Sequence, residues 1–252
     1  MKYKNIMKYL KKFNLFEKLT DVNIDVDMIY NEYFKEGIDY INKTDKLDKS
    51  LFKKATIYSD SLSSPLCIEA NKINPVEILI NVKNDSPNHY NPYKKIINLH
   101  VSYTATNYVS QYKTLTDAIN GLYDSKQRIS LSNQFKESTI KGSIHHELVH
   151  WIDDSLNNQH ILTKLNKAKG KPIKNVNFAL FELQSQIHNI VQLKRKYEDV
   201  WDNLTFDEMM SMSPALSVVM NNIDSAEKTI WIKRLKKRMS REGLLGKNMY
   251  NN

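Results

Sequence analysis

The sequence predicts an α+β fold: a small, mixed, twisted sheet packed on one helix, with helical segments before and after it. Three observations carry that expectation. Four short runs rich in β-branched residues lie between positions 55 and 132, apolar residues at helical spacing flank them on both sides, and a helix with segregated polar and apolar faces spans 143–156.

In chain order, Tyr3, Ile6, Met7, Leu10, Phe13 and Phe16 set a helical period over 3–19, and an aromatic-rich helical pattern continues over 28–40. Alternating β-branched residues predict strands over 55–59, 76–82, 95–103 and 128–132. The stretch 84–92, rich in Asn, Asp, Ser and Pro, reads as a long turn between the second and third strands. Leu180, Leu183, Ile187, Ile190 and Leu193 then mark a helix across 177–193. Further on, Thr205-Phe206-Asp207-Glu208 is a capping box, Ser213-Pro214 begins another helix, and 226–241 forms a helix rich in Lys and Arg. This divides the chain into a helical lead-in over 1–52, a core over 53–200 and a C-terminal helical segment over 201–252, packed as one globular unit. There is no internal repeat and no low-complexity tract.

The chemistry is concentrated in the helix over 143–156, where His146-Glu147-Leu148-Val149-His150 is an H-E-x-x-H pattern. Residues four apart on a helix lie one above the other, so two imidazoles reach one metal ion while the glutamate beside the first sits near its bound water. At roughly 100° per residue, with His146 at 0°, His150 falls near 40°, Glu147 near 100°, Asp153 near −20° and Asp154 near 80°. Leu148, Val149, Ile152 and Leu156 gather between about 200° and 300°, the stripe that docks on a core. His145, near 260° on the same scale, points into that stripe and reads as a packed core histidine.

A catalytic zinc site usually takes three protein ligands and keeps a position for water. His160 follows the helix-stopping run Asn157-Asn158-Gln159 and reaches back only through a loop. Glu182 is the better candidate, because it borders the apolar stripe of the next helix; its alternative is a solvated helix glutamate. Asp153 and Asp154, three and four residues after His150, are placed to support a ligand histidine from the second layer; their alternative is an exposed acidic pair near a helix end. The metzincin extension is absent, since Asp153 stands at its glycine and Leu156 at its third histidine.

A glutamate on a following helix, about thirty residues past the second histidine, is the arrangement of the gluzincins, the branch of the zincin metallopeptidases that includes thermolysin and the clostridial neurotoxin light chains. The chain resembles them at His146, Glu147, His150 and Glu182, over residues 55–200 at most. A carboxylate at the position of Asp154 is shared with thermolysin-like sequences. The N-E-x-x-S-D form of the third-ligand motif is missing, because the chain reads Phe181-Glu182-Leu183-Gln184-Ser185-Gln186. In general style the stretch H-H-E-L-V-H-W-I-D-D, in a chain rich in Lys, Asn, Ile and Tyr, also resembles zincin-like peptidases encoded by tailed bacteriophages.

The resemblance implies a zincin-like fold and a zinc-dependent endopeptidase, with Zn2+ held by His146, His150 and Glu182 and with Glu147 as general base. It also implies a sheet edge that takes up the extended protein or peptide substrate as an added strand. Arg128, Ile129 and Ser130, just before the metal helix, are the candidates for that edge, the alternative being an interior strand. A second function class stays open: a structural or assembly protein on the same fold, as in a virion, whose metal site turns over little or nothing.

The composition limits the remaining choices. With 41% apolar residues in 252, the chain can bury a substantial core, and no apolar run is long enough to span a bilayer. The N-terminal stretch interleaves Lys with apolar residues, unlike a signal peptide, so the expected location is the cytoplasm of the producing or host cell, or a virion assembled there. Cys67 is the single cysteine; it fits a reducing compartment and reads as a small buried apolar residue. The net charge of +9 and the run 233–238 allow nucleic acid or an anionic surface as partner, against the alternative of a solvated helix face.

Overall fold

Strand by strand, the sheet follows the apolar alternation. In the computed structural model, β1 (Ala55–Tyr58), β2 (Glu77–Asn81), β3 (His89–Asn91) and β4 (Ile96–His100) form one sheet in the order β1-β2-β4-β3. β1 runs antiparallel to β2, β2 parallel to β4, and β4 antiparallel to β3. The register sets Ile57 opposite Ile78, Ile78 opposite Ile97, Ile80 opposite Leu99 and Tyr90 opposite Ile97. All six of these side chains are buried, whereas Thr56, Tyr58 and Glu77 are exposed, so one face of the sheet carries the core. The structure describes residues 21–81, 88–100, 112–122, 128, 131–133, 135–157, 161, 163, 182–212, 216 and 225–250. The helix expected over 3–19, the end of the strand over 95–103 and the helix start at Ser213-Pro214 lie outside them.

Two of the expectations change. The stretch 84–92, read as one long turn, contains β3. Asn91 ends that strand with its side-chain oxygen, which accepts from the backbone N–H groups of Tyr93 and Lys94, both at 3.1 Å, and reverses the chain into β4. The segment 128–132, expected as a strand and as the substrate-binding edge, is helical at Arg128 and from Leu131 to Asn133; Ile129 and Ser130 lie outside the described residues. Leu131 and Phe135 are both buried, and their four-residue separation is a helical spacing. Arg128 itself is exposed and donates from its Nε to the Leu122 carbonyl.

The chain forms two compact units, one of Glu17–Lys167 and one of Met1–Phe16 with Ala168–Asn252. In the first, the sheet is accompanied by α1 (Asn23–Tyr33), α2 (Lys35–Thr44), α3 (Pro65–Ile73), α4 (Leu115–Asn120) and α5 (Glu137–Leu156). α5 packs against α1, α3, β3 and β4 and is the central element of this unit. Lys141 of α5 joins it to α1 through Asp27, at 2.7 Å, and its ammonium lies 4.9 Å from the centre of the Tyr30 ring. Burial, followed by the charges of Glu137 and Asp39, pushes the Tyr30 phenol up to about 12.

Asp25 fastens α1 to the start of α3. Its carboxylate, fully buried, accepts from the Ser63 and Ser64 backbone N–H groups at 2.7 and 3.1 Å and from the Ser63 hydroxyl at 3.1 Å. Burial alone would raise this carboxyl, but the hydrogen bonds from Ser64, Ser63 and Cys67 together outweigh it and leave it below its ordinary 3.8. A depressed carboxylate contributes stability above its unfolded pKa and loses it as pH falls through the folded value. Asp25→Ala leaves the buried Ser64 N–H and the part-buried Ser63 N–H without their acceptor and is expected to cost about 1–3 kcal/mol at pH 7. In urea melts the difference from the wild type should shrink below pH 4; a difference that stays constant to pH 2 would refute this account.

The second unit is helical where it is described. α6 (Glu182–Lys196), α7 (Phe206–Ser211) and α8 (Ser225–Arg241) bury Ile187, Ile190, Trp201, Phe206, Met209, Trp231, Leu235 and Met239 in one cluster. The capping box is present as read: Thr205 Oγ1 accepts from the Glu208 N–H, and the Glu208 carboxylate accepts from the Thr205 N–H. Trp201 donates from Nε1 to the Leu244 carbonyl at 2.9 Å, closing the C-terminal segment onto the cluster. Among the described residues no helix is long and apolar enough to cross a membrane.

Candidate functional site

α5 begins at Glu137 and stops where the Asn-rich run predicts, with Asn157 donating its N–H to the Asp153 carbonyl at 3.1 Å. Its apolar stripe is buried at Leu148, Val149 and Ile152 and half-buried at Leu156, and Ile144 and His145 are buried as well. The polar face is also covered. Glu147 and His150 are 5% and 6% exposed, Asp153 and Asp154 are buried as well, and His146 is half-buried. Nearly the whole circumference of the helix between Ile144 and Ser155 is thus out of water. Charged side chains on such a face need specific partners.

His146 and His150 face each other through their Nε2 atoms, 3.0 Å apart, with ring centres 4.5 Å apart and ring planes at 88°. Two Zn–N bonds of ~2.0–2.1 Å at a tetrahedral angle would set the two nitrogens about 3.3 Å apart. The pair therefore converges to within a few tenths of an ångström of what two ligands of one zinc require. The same distance suits an N–H···N hydrogen bond when one ring carries its proton on Nε2. Glu147, adjacent to His146 and buried, lies one residue around the helix from this pair.

Among the described residues no third ligand is brought to the pair: no His, Cys, Asp or Glu there joins His146 and His150 in a group of three. Glu182 is the first residue of α6, in the other compact unit, and its side chain lies outside the described residues, as does the whole of His160.

The two aspartates are buried, not an exposed pair. Asp153 accepts from the Asn157 side-chain amide at 2.6 Å, a bond within the end of the helix. Asp154, 1% exposed, does more: one carboxylate oxygen accepts from the Tyr90 hydroxyl at 2.9 Å and the other from the Ile161 N–H at 2.7 Å. Tyr90 in turn accepts from the Asn74 amide at 3.0 Å, and the Asn74 carbonyl accepts from Trp151 Nε1 at 2.8 Å. Burial, then the Asp154 charge, pushes the Tyr90 phenol well above its ordinary value, so it remains a donor at neutral pH. This chain of bonds joins β3, the end of α3, the end of α5 and the segment after it. It anchors α5 at Trp151 and Asp154, the first of these directly after His150.

Tyr90, Asn74 and Trp151 were not readable as site residues. Asn74 and Tyr90 sit beside the helix only through long-range contacts, and Tyr90 falls inside a stretch whose composition reads as turn. The one available signal was Trp151, a large aromatic directly after a ligand candidate, whose indole N–H must find an acceptor when buried. Comparison of the chain with protein-family models, with curated proteins and with solved structures finds no match.

Proposed function

We propose that the chain is a zinc-dependent endopeptidase of the gluzincin type. The observation that carries this reading is the approach of the His146 and His150 Nε2 atoms to 3.0 Å on a buried helix, with buried Glu147 beside them. His146 and His150 supply two nitrogen ligands, and Glu182 is assigned as the carboxylate ligand on the strength of the family resemblance. Zinc bound there supplies a water acidified toward a pKa of about 7 and an electrophile for the scissile carbonyl. Glu147 takes the proton of the attacking water and returns it to the leaving amine. Asp154, held by Tyr90 and Ile161, keeps the His150 turn in place. β3 is the sheet edge beside α5 and, among the described residues, has no strand on its outer side, which suits an extended substrate joining as a further strand.

The test starts with metal content. The purified chain should hold one zinc per molecule by mass spectrometry, and His150→Ala should release it, since one of three ligands is lost. A peptide library incubated with the zinc-loaded chain should be cleaved, and a chelator should stop the cleavage. A chain that binds no zinc, or whose zinc survives His150→Ala, would defeat the assignment of this site. Zinc binding without any cleavage would instead favour the assembly-protein reading.

A further inference from the structure

We infer that the exposed face of α8 is a binding surface for the phosphodiester backbone of nucleic acid. This does not depend on the peptidase reading. It rests on where the charge of the chain resides. The unit made of Met1–Phe16 and Ala168–Asn252 holds 19 Lys and Arg against 9 Asp and Glu, a balance of +10, whereas Glu17–Lys167 holds 18 against 19. The whole positive excess of the molecule therefore belongs to one unit, and within it the densest run is on α8.

The helix sorts its side chains cleanly. Trp231, Leu235 and Met239 are buried, one per turn, and attach α8 to the core of its unit. On the opposite side Lys233, Arg234, Lys237 and Arg241 are all exposed, and none of them forms an ion pair among the described residues. The neighbouring cations are already used: Arg238 pairs with Glu242 at 3.0 Å, and Lys236 lies 4.8 Å from the Phe206 ring. Lys233, Lys237 and Arg241 succeed one another every four residues, a rise of about 6 Å each, so they form a straight row of cations with no carboxylate between them. The row extends toward the end of α6, because Lys194 donates to the Gly243 carbonyl at 2.8 Å and the next residue, Arg195, is exposed.

A cation row on one helix, in a strongly basic unit, is the electrostatic footprint of a protein that holds a repeating anion. A membrane surface fits less well. A helix that lies in a bilayer interface inserts its apolar face, and the apolar face of α8 is spent on its own core, Ile230 being its exposed large apolar side chain among the described residues. The phosphate backbone needs no such insertion and is contacted by Lys and Arg without regard to sequence.

The test uses the full chain and a fluorescein-labelled DNA duplex of about 25 base pairs, with its single strand as a second arm, read by anisotropy over a range of salt concentrations. A variant with Lys233, Arg234, Lys237 and Arg241 all changed to Gln should bind about 10-fold or more weakly, and the slope of log affinity against log salt should flatten by about 3. The control changes Lys43, Lys54, Lys72 and Lys94, exposed residues of the other unit, to Gln; it removes the same net charge and should bind within about twofold of the wild type. The arm that binds more tightly, duplex or single strand, identifies the form recognised. No binding by the wild type, equal loss in both variants, or tighter binding to phosphatidylserine vesicles than to either DNA would overturn the inference. Should the fourfold variant melt early, Lys237→Glu alone serves instead and should weaken binding at least threefold; an unchanged affinity would overturn the inference equally.

Discussion

Glu147→Gln is expected to keep the fold and the zinc and to lose at least ~10²-fold in kcat, the low end of what a general base contributes. The substitution preserves volume and hydrogen-bonding capacity and removes only the ability to hold a proton in transit. Glu147 is buried, and Gln fills the same volume and can keep hydrogen bonds to its neighbours, so the variant should stay folded. A purely structural carboxylate would show the reverse pattern, with stability falling and any activity falling only as far as the folded fraction. Peptide cleavage under single-turnover conditions separates the two outcomes, because it reads chemistry apart from product release. Full activity in a zinc-loaded Glu147→Gln preparation would end the mechanism proposed here.

The parts of the fold that were legible are those set by local pattern. Three of the strands, the end of α5, the α6 and α8 helices and the Thr205–Glu208 capping box all follow from spacing and end chemistry, whereas α5 starts at Glu137, six residues before the stretch read as its helix. β3 was not legible, because three residues with one buried side chain, Tyr90, carry too little alternation to stand out from a turn-forming stretch. The 128–132 segment failed for the complementary reason: a short apolar-polar alternation also fits a helical turn, and the burial of Leu131 with Phe135 decides the matter. Helical periodicity placed His146, Glu147, His150, Asp153 and Asp154 on one face, and that grouping is present. It could not say what covers the face. The bonds from Asp154 to Tyr90, 64 residues away, and from Trp151 to Asn74, 77 residues away, are products of the tertiary fold and leave no local trace. Glu182 came from a family resemblance, and geometry among the described residues adds nothing to it.

The Asp154 bonds set up the second large effect. Asp154→Ala removes the acceptor from two buried donors at once, the Tyr90 hydroxyl and the Ile161 N–H, and each unsatisfied buried group costs about 1–3 kcal/mol, so the variant should lose about 2–5 kcal/mol. Tyr90→Phe keeps the Ile161 bond but takes its donor from one Asp154 oxygen and its acceptor from the Asn74 amide, and should cost about 1–3 kcal/mol. Because the two residues share one bond, the double variant should be less destabilised than the sum of the singles. The pH dependence has a definite sign. The folded Tyr90 phenol titrates above its unfolded value of 10.0, so its contribution is fully present below pH 10 and is lost as pH rises through the folded value. Tyr90→Phe should therefore be most destabilised relative to the wild type at neutral pH and approach it in alkaline urea melts. If Asp154 also steadies the His150 turn, zinc should be held about 10–100-fold less tightly by Asp154→Ala, measured by competition with a chelator under conditions where the variant is folded. Undiminished zinc affinity in a folded but destabilised Asp154→Ala would confine this carboxylate to holding the fold, with His146 and His150 oriented by other contacts of the buried helix.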